Sequence, residues 1–236
     1  MPHTSKKARK VATKSSNMTT YLIVGVIIVI VAAAAGWFAY SSLRSTSSTD
    51  TTSSTSTTTS TQSSLVYAVF DTSQGTFEAE LFQNDTPRTV ANFVSLADSG
   101  FYNNLVWHRI VQGFVIQTGD PTSRNAAGNP CSWGQGGSNS SIPFEYAPSL
   151  HNDVGYIAMA STAPKAPGTS QFYINLQNNP SLDGSYAVFG KVISGMSVVN
   201  ALGNLPVSSA CSSSGGSPPS NPSQAMLISV TIKNSP

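Results

Sequence analysis

The chain has 236 residues, 39% of them hydrophobic, enough for one full-sized domain with a buried core plus appendages. Only 9% are charged, against roughly 25% in an average soluble protein, so Ser, Thr, Asn, Gln and Gly supply most of the polar surface. The formal charge of +2 hides an asymmetry: Lys6, Lys7, Arg9, Lys10 and Lys14 put five positive charges before residue 20, whereas from Leu65 onward six basic residues face nine acids, a balance of about minus three that argues against a nucleic-acid-binding body.

Residues 21–40 read YLIVGVIIVIVAAAAGWFAY, twenty residues without a charge. At 1.5 Å rise per residue such a run spans the roughly 30 Å hydrocarbon core of a bilayer, so one transmembrane helix is expected. Tyr21, Trp37 and Tyr40 sit near its ends, and the basic cluster within residues 1–20 places the N-terminus in the cytoplasm. A cleaved signal peptide is the competing reading; the apolar run exceeds the roughly 7–15 residues of a typical signal, which favours a retained anchor. Either reading exports everything downstream, so a single-pass cell-membrane protein with its main domain outside the cytoplasm is expected.

Residues 41–64 contain twenty Ser or Thr in 24 positions. Such a stretch cannot build a core and reads as a disordered, flexible stalk. Asn-x-Ser/Thr sequons at Asn84 and Asn139 are weak signals of glycosylation.

Residues 65–236 carry short apolar runs punctuated by Gly, Asn, Asp and Pro, the pattern of an antiparallel β protein. Runs at 65–70 and 76–82 flank a turn and predict a hairpin. Asp85 or Thr86 can then cap a helix with Pro87 in its first turn; Val90, Phe93, Val94 and Ala97 follow at helical spacing, and Gly100 can stop it. Further strands are expected at 106–110, 114–118, 155–160, 171–175, 187–192 and 226–233, with a short helix near 196–202. Eight strands and two helices suit a mainly β fold, a closed eight-stranded antiparallel barrel capped by the helices. Cys131 and Cys211, the two cysteines of the chain, both lie in loops of the exported part. A disulfide between them is the preferred reading, because thiols outside the cytoplasm oxidise; two thiols separated in space are the alternative.

The most informative stretch runs from Trp107 to Asp120. Strand alternation puts Arg109 and Val111 on one face of the first run, and Val115 and Gln117 on one face of the second, opposite Phe114 and Ile116. A cation among Trp, Ile and Val costs heavily unless hydrogen-bonded, and Gln117 is a neutral partner that would orient Arg109 without cancelling its charge. An Arg109 turned to solvent and paired with Asp120 fits these residues equally well.

These residues resemble the cyclophilin family of peptidyl-prolyl cis/trans isomerases. The aromatic-His-Arg-Ile block is present as Trp107-His108-Arg109-Ile110, followed by Phe114 and by Gln117-Thr118-Gly119-Asp120. Met159-Ala160, Ser170-Gln171-Phe172-Tyr173, Leu182-Asp183-Gly184 and Val188-Phe189-Gly190 resemble the family's other signatures in the same order. The resemblance covers roughly residues 65–232 and leaves out the anchor and stalk. It implies the eight-stranded barrel and an enzyme that rotates X-Pro bonds of unfolded, proline-containing polypeptides without a cofactor or metal. It implies Arg109 and Gln117 as catalytic residues, Phe114, Val115, Tyr173 and Leu182 as an apolar cavity for the proline ring, and Ala160, Ser161 and Gln171 as contacts to the flanking peptide. Four rim positions depart from the family: Tyr173 stands where phenylalanine is usual, Ser161 replaces a common asparagine, Ser181 a common tryptophan and Tyr186 a common histidine. Tyr173 brings a hydroxyl that must be paired or exposed. Loss of an indole and an imidazole at the rim implies weak binding of the immunosuppressive macrocycle the family is known for.

Other chemistries find little support. His108 and His151 lack metal-ligand spacing, and His108 reads as a packed strand residue. No hydrolase elbow or phosphate-binding glycine loop occurs, and Gly134 to Gly137 sit in a polar loop where Trp133 is a candidate exposed aromatic, a packing plug being the preferred reading. A monomeric isomerase assisting the folding of exported or membrane proteins is the expected function. The rival is a catalytically weak peptide-binding or chaperone module with the same groove.

Overall fold

Alternating apolar residues at 66–70 and 77–81 build the first hairpin of a computed structural model that describes residues 65–211 and 216–235. The basic N-terminus, the apolar run 21–40 and the stalk 41–64 lie outside the described residues. Among the described residues no helix is long and apolar enough to cross a membrane.

Strands β1 (Val66–Thr72) and β2 (Gly75–Leu81) pair antiparallel with Phe70 opposite Phe77, and these rings stack at 4.5 Å. Helix α1 (Pro87–Asp98) follows, burying Thr89, Val90, Phe93 and Ala97, while Val94 is partly exposed. Thr86 occupies the N-cap position but makes no side-chain capping bond. The carboxylate of Glu145, from a distant loop, instead accepts from Arg88 N (3.1 Å), Thr89 N (2.6 Å) and Thr89 Oγ1 (2.7 Å), satisfying amides that the first helical turn leaves free.

The expected strand at 106–110 is broken in two. β3 (Leu105–Val106) pairs with the C-terminal strand β9 (Met226–Lys233), whereas β4 (Arg109–Val111) pairs with β5 (Val115–Thr118). The exchange of partners happens at Trp107 and His108, both buried, with Trp107 N still donating to Ala225 O at 2.8 Å. With β6 (Tyr156–Ser161), β7 (Gly168–Asn175) and β8 (Val188–Ser194) the sheet has nine strands, in the order β3-β9-β1-β2-β8-β6-β7-β5-β4. This corrects the closed eight-stranded barrel: the sheet is curled, and its two edge strands, β3 and β4, are joined through Trp107 and His108 rather than by a ladder. Helix α2 (Met196–Gly203) forms where the second short helix is expected.

Register separates the two faces of the sheet. Ile110, Ile116, Ile174 and Ile157 are cross-strand neighbours across β4, β5, β7 and β6, and all are buried in the main core with Phe70, Phe93, Phe172 and Phe189. Burying each such side chain contributes roughly 1.5–3 kcal/mol, which makes this layer the principal source of stability. One residue along each strand, the opposite face carries the row Arg109, Gln117, Tyr173, Ala158 and Val188. A second, smaller apolar cluster forms there around Val115, Ala158, Tyr173 and Val188. Two loops are stapled by a disulfide between Cys131 and Cys211, which settles the alternatives for these cysteines.

Candidate active site

The outward row places Arg109 directly opposite Gln117. Arg109 Nη1 donates to Gln117 Oε1 at 3.2 Å, Gln117 Nε2 donates to Gln171 Oε1 at 2.8 Å, and Gln171 Nε2 donates to Gly134 O at 3.0 Å and Gly136 O at 2.6 Å. The neutral orientation of the guanidinium therefore prevails over pairing with Asp120. That carboxylate turns the other way, accepting from Thr122 N and Oγ1 at 2.8 Å each, from Gly134 N, and from Gly136 N at 3.2 Å. Burial pushes the Asp120 carboxyl up, but these hydrogen bonds outweigh it and hold its pKa below the ordinary value. For Arg109, burial lowers the pKa from its ordinary value, countered in part by electrostatic interaction with Tyr186 and Tyr173. A guanidinium starts so far above neutrality that it remains a cation.

Arg109 overlooks a cavity of about 220 Å³. Phe114, Val115, Tyr173 and Leu182 line its apolar side, and Ala160, Ser161 and Tyr186 its rim, with Gln117 beside Arg109. Phe114 and Val115 both reach it although they are neighbours in sequence. Phe114 belongs to the β4–β5 turn, where Gly113 takes φ +69°, so strand alternation does not govern it. Phe114 O is fixed by Leu176 N at 2.9 Å and Asn179 Nδ2 at 3.1 Å. The Tyr186 ring meets Tyr173 edge-on at 5.9 Å. Gln171 lies instead in an adjoining hollow of about 320 Å³ that shares Gln117, Ala160 and Ser161 with the first and is walled by Gly134 to Ser138. The β6–β7 register skips Ala160, and the Ser161 hydroxyl donates to Ala163 O at 2.8 Å. All ten expected site residues thus meet at two contiguous hollows on one sheet face.

A family model described as "Cyclophilin type peptidyl-prolyl cis-trans isomerase/CLD" matches residues 67–230. The chain belongs to the cyclophilin-type peptidyl-prolyl isomerases. Peptidyl-prolyl cis-trans isomerase-like 1 of Aspergillus fumigatus is 42% identical to this cyclophilin over 139 residues, which cover 57% of the chain and 80% of that relative. The human peptidyl-prolyl cis-trans isomerase-like 3 is 41% identical over 137 residues, covering 58% of the chain and 81% of the relative. A crystal structure of a Cryptosporidium parvum cyclophilin superposes with a TM-score of 0.62 at 31% identity, covering 73% of this chain and 99% of that one. The same parasite protein studied in the presence of the dipeptide Ala-Pro gives 0.61 at 32% identity, with 71% and 98% covered.

Behind the cavity this cyclophilin carries a polar support that sequence reading missed. The Tyr173 hydroxyl donates to Asn152 Oδ1 at 2.7 Å, and Asn152 donates through its N (2.7 Å) and Nδ2 (3.1 Å) to Asp183 Oδ1. Asp183 Oδ2 meets His151 Nδ1 at 3.0 Å. Burial raises the Asp183 pKa, yet the bonds from Asn152 and His151 bring it below the ordinary value, whereas burial first of all pushes the Tyr173 phenol up. The Tyr173 hydroxyl is therefore paired rather than exposed. The only available signal was the hydroxyl itself, which demanded a partner; nothing local pointed to Asn152, 21 positions away. Trp133 is buried, with Nε1 donating to Ala127 O at 3.0 Å, and so acts as a plug. Among the described residues no group of three or more His, Cys, Asp or Glu side chains could hold a metal.

Proposed function

We propose that this cyclophilin accelerates cis/trans rotation of X-Pro bonds in unfolded segments of exported or membrane proteins, acting as a monomer, with Arg109 and Gln117 as its catalytic residues. Amide resonance sets a barrier of roughly 18–20 kcal/mol to this rotation. Twisting the bond localises a lone pair on the prolyl nitrogen, and a hydrogen bond to that atom is stronger in the twisted state than in the planar one. A donor aimed there lowers the barrier without any covalent step. Arg109, oriented by Gln117 over an apolar niche, is such a donor, and this juxtaposition is the observation that carries the reading. Phe114, Val115, Tyr173 and Leu182 would hold the proline ring while the preceding carbonyl turns. The hollow beside Ala160, Ser161 and Gln171 would take the flanking peptide as an extended segment along the C-terminal end of β6, where the pairing with β7 skips Ala160. The Ala-Pro dipeptide used with the parasite relative supports proline as the group recognised.

The disulfide supports a compartment outside the cytoplasm, and the uncharged run at 21–40 supports a single-pass anchor bearing the domain on the Ser/Thr stalk. Protease added outside sealed cells would reach a domain oriented this way and would spare one oriented inward.

Exchange spectroscopy of an Ala-Pro-containing peptide, with the full-length chain at substoichiometric concentration, tests the activity. Cis/trans exchange cross-peaks should appear on a subsecond timescale. Peptide binding without accelerated exchange would favour the holding module instead.

A further inference from the structure

We propose that the Cys131–Cys211 disulfide is a positioning device for Arg109, an inference that rests on the isomerase reading above. The Arg109 side chain is supported from two sides, and each support is a loop with only a single 3-10 turn at its cysteine, Pro130–Ser132 in one and Ser209–Cys211 in the other. On one side the amide relay from Arg109 through Gln117 and Gln171 ends on the carbonyls of Gly134 and Gly136, just beyond Cys131 in the chain. On the other side Ile110 N donates to Ser217 O at 2.9 Å, which lays that segment along the outer edge of β4. Gly216 then abuts the arginine stem so closely that an added Cβ would stand 2.9 Å from Arg109 Cγ, 3.1 Å from Nε and 2.6 Å from Val111 Cγ2.

The leg carrying Ser217 is bonded to the leg carrying Cys211. Val207 bridges Pro219, Ser208 N donates to Pro218 O at 2.9 Å, and Ser220 N donates to Pro206 O at 2.8 Å. The disulfide ties this second loop to the first and so completes a circuit of contacts around the guanidinium: Gln117, Gln171, Gly134 and Gly136, Cys131, Cys211, the 207–219 bridge, Gly216 and Arg109 again. Both loops are rich in Gly, Ser and Pro, so without the cross-link their backbones regain conformational freedom and the two walls move independently. A donor displaced by a fraction of an ångström loses much of its advantage in the twisted state. Cys131 and Cys211 touch no substrate; they act through Arg109.

The test uses the full-length protein in three forms: oxidised, reduced with dithiothreitol, and as the double variant Cys131→Ser with Cys211→Ser. During reduction the S–S bond takes two electrons and two protons to give two thiols, while the reagent closes to its own cyclic disulfide. Gly216→Ala, with the bridge intact, presses on Arg109 directly. We expect kcat in the protease-free exchange assay to fall about tenfold to a hundredfold in the reduced, double-variant and Gly216→Ala proteins, with KM within about twofold. The Arg109 Nε–Hε resonance should shift or broaden in parallel. Unchanged kcat in the reduced protein and the double variant, with only the melting temperature lowered, would overturn the proposal and leave the bridge as a fold staple. If the oxidised protein showed no rotation at all, the isomerase reading would fail separately, and an Arg109 Nε–Hε signal identical with and without the bridge would refute positioning by itself.

Discussion

Tyr173 shows how one unusual residue reorganises its surroundings. Its ring serves the niche, and its hydroxyl is taken up by Asn152, whose oxygen also accepts from Asn175 Nδ2 at 3.3 Å. The two ends of this bond are therefore not equivalent. Tyr173→Phe removes a donor and leaves Asn152 Oδ1 with its other partner, at a cost of about 0.5–1.5 kcal/mol. Asn152→Ala strands a buried phenol and should cost about 1–3 kcal/mol, the larger of the two, in urea unfolding monitored by fluorescence. Ser181 is exposed and Tyr186 lies edge-on against Tyr173, so the rim presents a phenol and a small hydroxyl rather than an imidazole and an indole. The immunosuppressive macrocycle should accordingly inhibit only well above nanomolar concentration in a competition assay. At this scale the sequence was informative: the residue types at 109, 114, 117 and 173 announced a cation, an amide and apolar walls. Partners lying far along the chain, such as Asn152, left no trace in local pattern.

At the scale of elements, period-two alternation and helix punctuation located the hairpin, α1, α2 and every strand run, because those signals are local. What decides between partners is not local, and that is where expectation and structure diverge. The run at 106–110 alternates like one strand, yet it changes neighbours at Trp107 and His108 because the indole enters the core and β9 ends its pairing at Met226. His108 is consequently enclosed, and burial pushes its pKa down to about 4, against the pull of Asp120 and Gln171. Its folded-state pKa lies below the unfolded value near 6.5, so from pH 6.5 down to about 4 the unfolded chain binds the extra proton and stability falls with pH. That loss, on the order of 3 kcal/mol, should be reduced in His108→Gln when denaturant midpoints are compared between pH 7 and pH 4. The cap of α1 is another non-local event. Glu145 replaces the expected Thr86 or Asp85 side chain, and Glu145→Ala should lower unfolding stability by about 1–2 kcal/mol.

The whole molecule divides its labour by sheet face. The inward face, with its isoleucine row and phenylalanine cluster, supplies stability; the outward face at β4, β5, β7 and β6 displays the Arg109–Gln117–Tyr173 row beside an apolar niche. Family membership and the mainly β character agree with what the motifs implied, and the ten expected site residues lie around two contiguous hollows. The ninth strand and the open ladder arise from long-range pairing that no window of sequence displays. The claim on which this division depends is that the fixed guanidinium lowers the rotational barrier. It is tested most directly by comparing the full-length protein with Arg109→Ala in the exchange assay, while peptide binding is followed separately by titration. We predict a fall in kcat/KM of about 10²-fold or more with the peptide still bound; equal rotation rates for the two proteins would contradict it.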